Sequence, residues 1–185
     1  ATVEALPEDE VHRQLMVAVE QMNSTDLSGL LNRAWDEYGA LSFIEDICGP
    51  LLTQIGRGWE IGHLTVAQEH HASEQIVHLL SQRWRSIQPL MPKLKLVLAT
   101  VPSERHFLGL HMAAVAASLY GVGVVWLGSD APLSDIAQAA TRHQADGVVL
   151  SLSIWEKQER SASVRRLRQL LSPTIELVVG GTGAP

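Results

Sequence analysis

Along the first half of the chain, apolar residues recur at helical intervals; along the second half they come in short unbroken runs. Val11, Leu15, Val17, Val19 and Met22 fall largely on one helix face. Pro7 and the acids Glu8, Asp9 and Glu10 open that helix, and their charge suits the positive end of its dipole. Asn23 to Asp26 supply N-cap residue types for a second helix carrying Leu27, Leu30, Leu31, Ala34, Trp35 and Tyr38, closed by Gly39. A third helix is predicted over 41–59 with Phe43, Ile44, Ile47, Leu51, Leu52 and Ile55 inward, and Pro50 predicts a kink near Ile47. Gly62 to Leu64 form a turn. Thr65-Val66-Ala67-Gln68 is a capping-box pattern that starts a fourth helix running to about Ile87. Four helices with short connections favour an antiparallel bundle.

The period changes at Gln88-Pro89-Leu90-Met91-Pro92-Lys93, which sets the expected domains at 1–88 and 93–185. Strands are predicted at 94–101, 122–127, 147–152 and 175–179, with helices at 109–120, 133–143 and 156–171 between them. Short hydrophobic strands alternating with helices imply a parallel sheet covered on both faces. The expected fold class is therefore α plus α/β: a four-helix bundle followed by a doubly wound, flavodoxin-like sheet domain. Such domains usually continue past a fourth strand, so a version lacking its last strand and helix is part of the expectation.

Composition narrows the function classes. Of 185 residues, 46% are hydrophobic and 18% charged, enough for a packed core in one or two domains. Fourteen bases against twenty acids leave a net charge of −6, which argues against a whole-chain nucleic-acid footprint. Cys48 is the sole cysteine, so an intramolecular disulfide and a multi-cysteine zinc site are excluded. Acids at Glu4, Glu8, Asp9 and Glu10 do not suit a signal peptide, and no apolar run approaches the roughly 18 residues that span a bilayer. A cytoplasmic protein with no membrane contact is the expectation.

In parallel α/β sheets, ligands collect at the carboxyl ends of the strands. There the chain places Pro102 to Gly109 after the first strand, Ser151-Leu152-Ser153 after the third and Gly180-Gly181-Thr182-Gly183 after the fourth. Each is weak alone: a loop histidine, a strand-end serine and paired glycines all have bland uses. No G-x-G-x-x-G follows the first strand, and no P-loop pattern occurs. Together, Glu104-x-His106-x-x-Gly109, then Ser151-x-Ser153, then Gly180-Gly181 resemble the D/E-x-H-x-x-G, S-x-L/T, G-G signature of cobalamin-binding domains at that family's distances. Ser153 departs from the Leu or Thr of the pattern. The resemblance implies that His106 coordinates cobalt in place of the cofactor's own dimethylbenzimidazole, with Glu104 fixing the imidazole tautomer. Gly109 would let the backbone pass near the corrin ring, Ser151 would bond the displaced base, and Gly180-Gly181 would leave room for its tail. Ser153 is carried with this set.

In the helical half, Trp59, nine residues, then Glu69-His70 resemble the W-x9-E-H pattern of MerR-related cobalamin photoreceptor regulators of the CarH/LitR type. In that family a Trp and a Val shield the upper axial group and the Glu-His pair meets the adenosyl moiety; Trp59, Val66, Glu69 and His70 are the matching positions. One departure is Glu60, where the best-known photoreceptors carry a second histidine. The resemblance implies a sensor and not an enzyme, binding adenosylcobalamin first and methylcobalamin second. It also implies a homo-oligomer that represses transcription and touches DNA only through a domain absent from this chain or through a separate repressor. The alternative is a corrinoid carrier for methyl transfer. Arg160, Arg165, Arg166 and Arg168 form a basic cluster whose expected meaning is a solvated helix face, with a subunit interface as the alternative.

Overall fold

Proline and glycine punctuation, with an apolar stripe between, is what makes each helix of the first half start and stop where it does. A computed structural model describes residues 7–153 and 157–184. The chain divides into two units after Gln82. In the first, α1 (Glu8–Glu20) carries all three acids in its first turn and buries Val11, Leu15, Ala18 and Val19. Val17 and Met22, expected on that face, are 40% and 43% exposed. Val17 lies off the 11/15/18/19 stripe, and Met22 follows the helix end with φ of 50°. Helix α2 (Ser24–Tyr38) starts under Asn23, whose side chain accepts the Asp26 N–H, and ends at Gly39 with φ of 76°.

The third helix, α3, is a composite. α-Helical turns at Ala40–Ser42 and Gly49–Glu60 flank a π-helical segment, Phe43–Cys48. Pro50 has no N–H to give to the preceding turn, and the Gly49 N–H reaches back five residues to the Ile44 carbonyl. The expected kink is thus absorbed as a widened turn. His12 of α1 hydrogen-bonds the Ile47 carbonyl at 3.2 Å and ties down this irregular stretch. Phe43, Ile47, Cys48, Leu51 and Ile55 lie in the core. Burial pushes the Cys48 thiol up to about 12, which leaves it unreactive. Helix α4 (Val66–Ser86) begins with the reciprocal cap predicted for it: the Thr65 N–H donates to Gln68 Oε1 at 2.8 Å and the Gln68 N–H to Thr65 Oγ1 at 3.3 Å.

The second unit is a four-stranded, all-parallel sheet in the order β2-β1-β3-β4, formed by β1 (Lys95–Ala99), β2 (Gly123–Gly128), β3 (Gly147–Ser151) and β4 (Glu176–Gly180). The helices between them are α5 (Leu108–Leu119), α6 (Leu133–Arg142) and α7 (Lys157–Leu170). Alternation along the strands splits the core. Val97, Ala99, Val148 and Leu150 pack with Ile136, Ala140 and Leu167 on the face of α6 and α7. Leu98 is fully buried with its side chain on the opposite face, and Leu110, Ala114 and Val115 of α5 are also buried. Every strand lies within two residues of its predicted bounds. The predicted start of α7 at Glu156 lies outside the described residues. Arg168 is half-buried and does more than face solvent: its guanidinium donates to the carbonyls of Leu171, Ser172 and Ile175, closing the end of α7. Arg160's side chain lies outside the described set. None of the described helices is long and apolar enough to cross a membrane.

Candidate cofactor-binding site

After β1 the chain crosses to β2 on one side and later returns to β3 on the other, so the sheet's switch point opens between β1 and β3. The loop leaving β1 at this point carries Glu104 and His106. Glu104 is fully buried, and donors of His106 and Ser153 meet its carboxylate. Its Oε1 accepts the His106 backbone N–H at 2.9 Å and His106 Nδ1–H at 2.8 Å; its Oε2 accepts the Ser153 N–H and hydroxyl, both at 2.8 Å. Burial pushes its pKa up, but the Ser153 and His106 donors outweigh that and hold the carboxyl below its ordinary range. With Nδ1 committed to Glu104, His106 Nε2 is the nitrogen left for a ligand, on a ring whose side chain is 69% exposed. Nε2 has no partner among the described residues. Such a nitrogen is a good ligand for a borderline transition metal.

Around it the small residues have distinct reasons. A Cβ on Gly109 would come 2.8 Å from Ser151 Oγ, so a side chain here would have to turn the Ser151 hydroxyl away from its place at the end of β3. Ser151 and Gly180 are register partners on β3 and β4 and so share one face of the sheet. A Cβ on Gly180 would meet nothing within 4 Å, whereas Gly181, with φ of 93°, would drive its Cβ into the Leu152 carbonyl. Gly181 is thus fixed by the backbone and Gly180 by nothing in the fold, which leaves an open cradle beside Ser151. Ser153, grouped with the cofactor residues from its place in the motif, bonds Glu104 through its N–H and its hydroxyl.

Two residues with no signal in the sequence shape the same loop. Thr100 is fully buried; its hydroxyl donates to the Glu104 carbonyl and accepts the Asp130 N–H at 2.9 Å. Asp130, in the loop after β2, accepts the Ser103 N–H at 2.7 Å. They act through backbone groups, which no side-chain motif reports.

In the helical unit, the turn between α3 and α4 folds back on Gly58, whose carbonyl accepts the N–H groups of His63 and Leu64. It leaves Trp59 (47%), Ile61 (66%) and Val66 (52%) exposed. Glu69 Oε2 lies 3.4 Å from His70 Nε2, and Glu69 Oε1 accepts the Ser73 hydroxyl at 2.8 Å. Val66, Glu69 and His70 share a helix face by spacing.

A parallel sheet with a carboxylate-anchored histidine at its switch point, an adjoining glycine cradle and a helical unit before it defines a corrinoid-binding class of protein. Family comparison makes this specific: the chain belongs to the B12 binding domain family, with residues 11–82 matching one B12 binding domain model and 94–184 a second. It is 32% identical over 186 residues to the HTH-type transcriptional repressor CarH of Myxococcus xanthus. The match takes in 100% of this chain but 62% of that relative. The monomethylamine corrinoid protein of Methanosarcina barkeri shares the fold, with a TM-score of 0.68 at 17% identity over 97% of this chain and 87% of its own.

The residues present fit a corrinoid on two counts. The donor is an imidazole backed by a buried carboxylate through one nitrogen with the other exposed, and the space at Gly180 is one that a single methyl would begin to fill.

Proposed function

We propose that the chain is the cofactor-binding part of a cobalamin-dependent light-responsive regulator. In this reading His106 Nε2 would hold the cobalt, with Glu104 keeping the proton on Nδ1 and raising the ring's basicity. Ser151 would bond the cofactor's own base, and Gly180 and Gly181 would border its tail. Trp59 and Val66 would shield the group that leaves, while Glu69 and His70 would meet the ribose and purine of an adenosyl moiety. Bound adenosylcobalamin would supply a weak cobalt–carbon bond that light breaks. The protein's own part is a ligand-biased switch without turnover: losing the group that Trp59 covers changes the packing of the helices and the oligomeric state. Regulation of transcription is supported by the 32% identity to a transcriptional repressor, and any DNA contact would come from a part outside this chain or from a separate repressor. A cytoplasmic setting follows from that role.

The observation that carries the reading is the His106 ring, anchored on a buried carboxylate through one nitrogen and free to coordinate through the other. The test is reconstitution with adenosylcobalamin in the dark, followed by illumination. A sensor changes its visible spectrum and its elution on a sizing column together; a spectrum that changes with no change in size removes the switching role. The second reading, a corrinoid carrier for methyl groups, draws on Glu60, since the histidine of the best-known photoreceptors is missing there. A carrier would accept a methyl group from a partner methyltransferase and keep its size in light and dark.

A further inference from the structure

We infer that Thr100 and Asp130 are positioning residues for the cobalt ligand: a clasp between the loops after β1 and β2 that sets the His106 loop before cofactor arrives. This rests on the His106 assignment above and extends it to residues outside the binding signature.

The clasp is a closed circuit. The buried Thr100 hydroxyl donates to the Glu104 carbonyl and accepts the Asp130 N–H. The Asp130 N–H also approaches the Glu104 carbonyl, at 3.2 Å, and the Ala131 N–H meets the Thr100 carbonyl at 3.2 Å. The Asp130 carboxylate takes the Ser103 N–H. Both residues of that last bond are left-handed, Ser103 at φ 67° and Asp130 at φ 55°. Residues with a Cβ seldom adopt that conformation, and an unclasped loop would leave it. Glu104 and His106 are the next residues along, so their geometry depends on the circuit. Preorganising a ligand in its bound position raises affinity by removing the ordering cost from the binding step.

The test compares Thr100→Val and Asp130→Ala with the conservative variants Thr100→Ser and Asp130→Asn, each of which keeps the bonding atom. Hydrogen–deuterium exchange of the cofactor-free chain reads the loop, and titration with adenosylcobalamin in the dark reads binding. Val and Ala are expected to speed exchange of the 103–106 amides while β1 and β3 stay protected, and to weaken binding about tenfold. Ser and Asn should restore both. Loop protection and affinity equal to wild type in Thr100→Val and Asp130→Ala would overturn the clasp, as would equal loss of protection across the whole sheet. His106→Ala runs alongside: if it binds with an unchanged spectrum, the ligand assignment fails, and the exchange data still judge the clasp.

Discussion

The carboxyl edge of the sheet and the turn between α3 and α4, which the proposed function gives to the two faces of one cofactor, are built in opposite ways. At the sheet edge, one exposed ring stands on a buried polar network in which each oxygen of Glu104 has two donors. At the turn, Trp59, Ile61 and Val66 present apolar surface, and the polar pair Glu69 and His70 is only loosely held, at 3.4 Å. A metal ligand must be aimed within a fraction of an ångström, and a buried network does that. A cover for a group that leaves needs area and the freedom to give it up. The contrast therefore predicts that changes at the sheet edge act on whether cofactor binds and how cobalt is coordinated, while changes at the turn act on which upper group is preferred.

His106→Ala should break the comparison most visibly. Cobalamin affinity is expected to fall roughly a hundredfold or more, with the imidazole-coordinated spectrum lost at any concentration, as read by absorbance titration. Next in size is a pH effect from a second histidine, five residues along, that has no carboxylate. His111 is 3% exposed, accepts the Trp84 Nε1–H at 3.1 Å and packs against Trp126. Burial, with the Arg85 charge adding to it, pushes its pKa from 6.5 down to about 4. Between those values the unfolded chain binds a proton that the folded one refuses. Stability is thus full above about pH 6.5 and falls as pH drops toward 4, by roughly 2–3 kcal/mol. Thermal melts across that range should show the loss, and His111→Gln should flatten the slope.

Glu104→Gln is expected to weaken cofactor binding about tenfold by removing the charge that holds the imidazole tautomer. Trp59→Ala should leave overall cobalamin binding nearly intact and reduce the preference for adenosyl over methyl several-fold, measured by competition in the dark. An equal preference before and after would detach the turn from the upper group. Smallest is Gly180→Ala. Its Cβ meets nothing within 4 Å, so melting should stay within about 0.5 kcal/mol of wild type while binding of the tailed cofactor weakens.

The sequence made the fold legible because period and punctuation agree: the four strands, the Asn23 cap and the Thr65–Gln68 box all follow from local chemistry. Pro50 announced a disturbance but not its form, since the Phe43–Cys48 widening depends on which carbonyl the Gly49 N–H can reach. The spacing of Glu104 and His106 made their pairing readable. Ser153 was not readable as a partner of Glu104, because their contact spans 49 positions of chain. Separation along the chain likewise hides Trp84 against His111 and Trp126, and Thr100 against Asp130.

The central claim is that a protein imidazole from the β1 loop replaces the cofactor's own base on cobalt. Electron paramagnetic resonance of the reduced, cobalt(II) form, prepared with 15N-histidine-labelled protein, reads the axial nitrogen directly. The account predicts that the triplet splitting of a 14N ligand becomes the doublet of 15N, and that His106→Ala abolishes it. A triplet that persists in the labelled protein would mean that the cofactor's dimethylbenzimidazole stays on the metal, contradicting the account.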